Sequence, residues 1–143
     1  MRSRDATTGA KITPQHLMAE AQRARHKAYA PYSRFAVGAA LLTASGRVFH
    51  GCNVENASFG LTTCAERTAV FRAVSDGERE FVAIAVTARD GHGAPPCGSC
   101  RQVLHEFSPN AWVYWRDSRG RILRRRLSAL LPLAFQKKML RHR

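Results

Sequence analysis

Residues 81–86, FVAIAV, are apolar at every position. A strand alternates its side chains between two faces, so a run like this needs cover on both sides. It therefore reads as the central strand of a layered sheet. The chain has 143 residues, enough for one domain with a proper core and no need of disulfide or metal staples merely to fold.

The segments around that strand alternate between helical and extended patterns. Thr13-Pro14 is a helix start, a hydroxyl N-cap followed by proline at the first helical position. Leu17, Ala21, Ala24 and Ala28 follow at helical spacing up to the stop at Ala30-Pro31. Phe35 to Thr43 is a mostly apolar strand, Ser45-Gly46 a turn, and Arg47 to Cys52 a second strand. Residues 53–63 form a loop. Ala65 to Val74 carries a helical apolar face that ends at Asp76-Gly77. After the 81–86 strand, Arg89 to Pro96 is a Gly/Pro-rich loop. Cys100, Val103, Leu104 and Phe107 mark a third helix, closed by Ser108-Pro109-Asn110. Ala111 to Trp115 and Arg121 to Leu127 are strands turned at Gly120, and Ser128 caps a last short helix to Leu131. There are no repeats and no linker, and the class is α/β. Residues 1–12 are expected to be a disordered lead-in, 13–135 a single domain, and 136–143 a basic tail.

The N-terminus has no apolar h-region and no apolar run approaches the ~20 residues of a membrane span. The expected location is the cytoplasm, with no membrane partner. Four cysteines in such a setting read as metal or catalytic thiols rather than disulfides. Cys97 and Cys100 form P-C-G-S-C at the mouth of the third helix, and Cys64 opens the second helix 33 residues earlier. Two ligands from one tight turn and a third from another helix start suit a three-ligand zinc shell with an open fourth position, the catalytic pattern. Both helix starts also favour thiolates through their free N–H groups and positive dipole ends. A thioredoxin-like redox pair is the rival reading of C-x-x-C, and Cys52 as a fourth ligand would give a closed structural site. Cys52 otherwise packs as a small hydrophobe at a strand end.

Glu66 follows Cys64 by two residues. At a helix mouth both side chains can border one cavity, which makes Glu66 a candidate catalytic acid/base. Arg67 shares the helix face of Cys64. Three thiolates and one Zn²⁺ sum to −1, and a guanidinium bonded to the thiolates would restore part of the metal's acidifying power.

Charge is uneven. The net charge is +13, and residues 116–143 hold ten Lys and Arg against Asp117 alone, about +9 of it. That segment is either a solvated, arginine-biased edge and tail or a phosphate-binding face. Nucleic-acid binding, if present, is expected to be weak and non-specific.

T-C-A-E-R-T-A (63–69) and P-C-G-S-C-R-Q-V-L (96–104) resemble the zinc cytidine deaminases of the small homotetrameric type. P-Y-S-R-F-A-V-G-A-A-L-L (31–42), G-C-N-V-E-N-A-S-F-G-L-T (51–62) and L-L-P-L-A-F (130–135) extend the resemblance, in order, over about residues 14 to 135. It implies a three-layer α/β/α fold with a mixed sheet of about five strands, one Zn²⁺ per subunit on Cys64, Cys97 and Cys100, and hydrolytic deamination of cytidine and deoxycytidine in pyrimidine salvage. Glu66 would be the proton carrier and Arg67 would support the thiolates. The resemblance places Asn53 and Glu55 on the ribose hydroxyls, Phe35 against the pyrimidine ring, and Val54 and Ala65 beside the substrate. It assigns Ala57, Phe59 and Phe135 to contacts between subunits of a homotetramer. Phe59 stands where the family usually has Tyr, which removes one hydroxyl. A deaminase of blasticidin S and a nucleic-acid-editing deaminase are the alternatives.

Overall fold

The computed structural model describes residues 11–88, 93 and 95–140. The expected lead-in and the end of the basic tail lie largely outside these residues, as does most of the expected 89–96 loop. Helix α1 is Pro14–Arg25, with Thr13 as N-cap accepting from the His16 N–H. Strands β1 (Gly38–Thr43) and β2 (Val48–Cys52) form a hairpin turned at Gly46, whose φ of +91° favours glycine. Helix α2 is Ala65–Ser75, β3 Phe81–Thr87, α3 Gly98–Phe107, β4 Trp112–Arg116, β5 Ile122–Arg126 and α4 Leu127–Leu130. Short 3-10 turns lie at Phe59–Leu61 and Lys137–Leu140.

The strands make one mixed sheet in the order β2-β1-β3-β4-β5, with the expected apolar strand β3 at its centre. β3 and β4 are parallel across the α3 crossover, and the other neighbours are antiparallel. One face carries Ala39, Leu41, Phe49, Ile84, Val86 and Val113 against α2, α3 and α4. The opposite face carries Ala40, Ala83, Ala85 and Tyr114 against Leu17, Met18 and Ala21 of α1. This is a three-layer α/β/α sandwich, as the sequence led one to expect. Two glycines let the helices close on the β1–β2 hairpin. A Cβ at Gly38 would lie 2.1 Å from Ala21 O, and one at Gly51 2.3 Å from Ala65 O and 2.5 Å from Ala69 N. Gly51 thus sets how near the α2 mouth comes to the sheet.

Strands β2, β4 and β5 are offset by one residue from the expected ranges, and three other boundaries differ for a physical reason. Helix α1 ends at Arg25, with the C-cap at His26, short of Ala28. β1 starts at Gly38 rather than Phe35, because the Asn53 side chain takes up ladder positions of residues 35–37: Val37 N–H donates to Oδ1 (2.8 Å) and Nδ2 donates to Phe35 O (2.8 Å). α4 begins at Leu127, and Ser128 is not its cap. Burial of Leu127 in the core and the Leu127 N–H bond to Ala111 O fix that start.

Candidate metal centre

The mouths of α2 and α3 meet on one side of the sheet, and each has a cysteine as its N-cap residue. Cys64 and Cys97 take extended backbone conformations and make no side-chain capping bond, so their thiols stay available. Cys100 lies in the first turn of α3 and is fully buried. Sγ of Cys64 and Cys97 are 4.0 Å apart, those of Cys97 and Cys100 are 3.4 Å apart, and all three lie within 4.8 Å of one another. A tetrahedral shell with zinc–sulfur distances of about 2.3 Å puts its sulfurs about 3.8 Å apart. The donor set, its spacing and its softness therefore fit zinc.

The electrostatics agree. Cys64 is pulled down to about 5, first by its hydrogen bond with Cys100 and then by the Arg67 guanidinium. Cys100 is pushed up, by that same bond and by burial. Thiolates this close repel one another, and a divalent cation is the partner that lets three of them ionise together. Arg67 Nη2 donates to Cys64 Sγ (3.4 Å), while Arg67 Nε is buried without a hydrogen-bond partner among the described residues. A guanidinium with spare donor capacity suits a centre whose net charge is −1.

Glu66 is only 5% exposed. Burial raises its pKa, as does the charge on Cys64, while backbone and Cys100 hydrogen bonds oppose the rise. Its carboxyl thus lies against the thiol cluster despite the two-residue spacing. The non-helical N-cap conformation of Cys64 is what brings both side chains to one side.

Residues 53–55 border the same mouth. Val54 pairs through its backbone with Thr63, the residue before Cys64, and with Tyr29. Asn53 is buried, and its amide is engaged by Phe35 O and Val37 N. Glu55 accepts from the Tyr32 and Ser33 N–H groups and from Ser33 Oγ, and the Ser33 hydroxyl bond holds its carboxyl below the usual range. Asn53 and Glu55 therefore organise the 32–37 segment that carries Phe35. Phe35 itself is half exposed, and Ala65 is fully buried behind Cys64. Phe59 is 74% exposed and meets Tyr32 edge-on, at 6.0 Å between ring centroids. Ala57 is exposed in the same loop.

Cys52 stands apart from the thiol cluster: its Sγ donates to Lys27 O (3.4 Å), and burial raises its pKa. The cluster of metal-ligating groups among the described residues is Cys64, Cys97 and Cys100 without it.

Two residues that the sequence reading passed over prove central to the site's frame. Arg101 Nε donates to Pro96 O (2.7 Å) and Nη1 to Leu130 O (2.8 Å), tying the turn before Cys97 to the end of α4. Gln102 Nε2 donates to Phe135 O (2.8 Å), and Phe135 N–H donates back to Gln102 Oε1 (3.3 Å). The C-terminal segment is thereby fastened to the helix that carries two ligands. Their only signal in the sequence was adjacency, since R-Q follows Cys100 directly.

Residues 11–116 match the family model of the cytidine and deoxycytidylate deaminase zinc-binding region. The chain is 55% identical over 122 residues to a cytidine deaminase of Halalkalibacterium halodurans, spanning 85% of this chain and 92% of that relative. It is 50% identical over 124 residues to a cytidine deaminase of Sporosarcina psychrophila, spanning 86% of this chain and 91% of the relative. The solved structure of cytidine deaminase from Burkholderia pseudomallei superposes with a TM-score of 0.82 at 51% identity, covering 87% of this chain and all of that one.

Proposed function

Because this chain belongs to the cytidine and deoxycytidylate deaminase family, we propose that it hydrolyses cytidine and deoxycytidine in pyrimidine salvage. Water adds its oxygen to C4, the C4–N bond breaks, and uridine or deoxyuridine leaves with ammonia. The observation that carries this reading is the convergence of three thiols with the buried Glu66 carboxyl at two helix mouths.

Cys64, Cys97 and Cys100 hold zinc, which when bound supplies a Lewis acid that makes water nucleophilic near neutral pH. Glu66 moves the protons: it takes one from the attacking water and gives it to N3 of the base, then takes the second from the hydroxyl now on C4 and delivers it to the departing amine. A buried carboxyl holds that proton away from bulk water, and such positioned acid/base groups contribute roughly 10²–10⁴-fold. Arg67 offsets the surplus negative charge through its bond to Cys64. Phe35 lies against the pyrimidine ring, and Asn53, Val54, Glu55 and Ala65 shape the nucleoside side of the pocket. The remaining capacity of the Asn53 amide and the Glu55 carboxylate serves the ribose hydroxyls.

The active form in this proposal is a homotetramer that shares its sites. Exposed apolar side chains support it: Leu133 is 95% exposed and Phe135 56%, and Phe59 finds little cover within its own chain. Phe135 reaches a neighbouring site, and Ala57 and Phe59 line the contact between subunits. Walls contributed by a neighbour exclude water, which strengthens electrostatic stabilisation of the reacting centre. The free thiols fit a reducing compartment, the cytoplasm. Among the described residues no helix is long and apolar enough to cross a membrane.

A substrate panel tests the proposal. Ammonia release is measured from cytidine, deoxycytidine, blasticidin S and a single-stranded oligonucleotide under one set of conditions. Turnover led by the two free nucleosides supports it, whereas turnover led by blasticidin S or the oligonucleotide refutes it.

A further inference from the structure

The arginine-rich segment has no part in the site just described, and the fold sets three of its arginines on the opposite face of the sheet. The β4–β5 register pairs Trp112 with Arg126, Tyr114 with Arg124 and Arg116 with Ile122. Opposed residues of an antiparallel pair share a face. Tyr114, Trp112 and Ile122 belong to the cluster on the α1 side, so Arg116, Arg124 and Arg126 project there too, away from α2 and α3. Helix α1 packs chiefly on β1, β2 and β3, so among the described residues it leaves the β5 side of this face open.

The guanidinium carbons of Arg124 and Arg126 lie 4.2 and 3.8 Å from the centroid of the same Trp112 indole. Arg126 Nη1 also donates to Asn110 O (2.6 Å), and Arg116 Nη1 to Gly120 O (2.6 Å). None of Arg124, Arg125 and Arg126 makes an ion pair with a carboxylate among the described residues. Charged side chains on an edge strand guard it against pairing with other strands. That explains arginine on β5 in general, but not two guanidiniums drawn together over one ring. Like charges repel, and the indole face offsets this while fixing both cations in place. Stacked arginines lose less freedom when they bind, and each planar fork still has N–H donors for phosphate oxygens.

From this geometry we infer that the β4–β5 face, through Arg124 and Arg126 stacked on Trp112 and Arg116 farther along the same face, binds the phosphate backbone of a nucleic-acid strand without reading its sequence. Arg124 and Arg126 lie about 6.6 Å apart along β5 with Arg116 on the neighbouring strand, and such a line of cations suits a linear polyanion. A membrane surface fits less well, because the apolar residues of this face lie half-buried beneath the arginines and offer no anchor to insert. An acidic protein partner fits less well too, for the face lacks an exposed apolar centre of the kind that carries protein interfaces.

The test uses the zinc-loaded full chain and a fluorescent single-stranded RNA of roughly 16 nucleotides, within the range of known single-strand sites. Anisotropy is followed between 50 and 200 mM salt, with mixed-sequence and homopolymer probes. Three backbone contacts predict a loss of affinity of roughly ten- to twentyfold over that range. The double substitution Arg124→Ser with Arg126→Ser should flatten the log–log salt slope by roughly 1.4, since each single-strand phosphate contact contributes about 0.7. Cytidine turnover by that variant should equal the parent's, which also confirms that it folds. Lys137→Ser with Lys138→Ser should leave RNA affinity nearly intact. Absent binding at 50 mM salt, an unchanged slope in the arginine variant, or an equal slope change in the lysine variant would each overturn the inference. So would equal or tighter binding to phosphatidylserine vesicles or to polyglutamate.

Discussion

Arg67 donates to Cys64 across one turn of α2, with Nη2 3.4 Å from Sγ. The cysteine ends the loop that precedes the helix and the arginine lies three residues on, so the helix itself sets their contact. Without that cation, three thiolates around one zinc carry an uncompensated negative charge. Arg67→Ala is therefore expected to weaken zinc affinity by 10–100-fold, the usual cost of losing a group that supports a ligand. Competition with a chromogenic chelator measures it, and unchanged affinity would show that Arg67 does not support the thiolates.

Glu66→Gln should keep zinc and fold but lose nearly all turnover. The amide is isosteric with the carboxyl and cannot take up and return a proton. Zinc content and Tm should match the parent while kcat falls by at least about 10²-fold. A variant that keeps a tenth of the activity would remove Glu66 from the proton path.

Metal analysis of four cysteine variants separates the thiols. Alanine at Cys64, Cys97 or Cys100 should abolish stoichiometric zinc, whereas Cys52→Ala should retain it, since Cys52 bonds to Lys27 O instead of joining the cluster. Zinc loss in the Cys52 variant would point to a closed four-thiolate site.

Gly51→Ala probes the seat of α2. The added Cβ would press on Ala65 O and Ala69 N, backbone atoms with no flexible side chain to give way. Overpacking of this kind costs about 1–3 kcal/mol. We expect a lower Tm together with weaker zinc binding, because the atoms displaced adjoin Cys64. A Tm equal to the parent's would mean that the helix is free to shift.

Much of this was legible in the sequence because it rests on local chemistry. Thr13-Pro14 started α1, Asp76-Gly77 ended α2, and the unbroken apolar run of β3 set the middle of the sheet. The thiol cluster was readable because two helix mouths each carry a cysteine. What was hidden depends on distant partners. The start of β1 moved because Asn53, sixteen residues beyond Val37, supplies the bonds that a strand would have made. Ser128 failed as a cap because burial of Leu127 decides where α4 begins. Arg101 and Gln102 act on carbonyls 29 and 33 residues away, and no periodicity or spacing reveals such bonds.

Phe135 and Gln102 test whether subunits share sites. Phe135→Ala should raise the cytidine KM, and Gln102→Ala should raise it as well by releasing the Phe135 backbone. In the double variant the Gln102 change should add little, since both act through one ring. Light scattering should give the mass of a tetramer for the parent. A monomeric parent, or a Phe135 variant with unchanged KM and kcat, contradicts site sharing.

Three thiols that hold zinc and a buried Glu66 that moves protons make turnover depend on the metal. The most direct measurement follows conversion of cytidine to uridine by one protein sample as isolated, after a chelator has stripped it, and after zinc is returned. Turnover should track zinc up to one equivalent per chain, vanish on stripping and recover on return. Full activity in the stripped protein, or no conversion of cytidine at one equivalent of zinc, would contradict this.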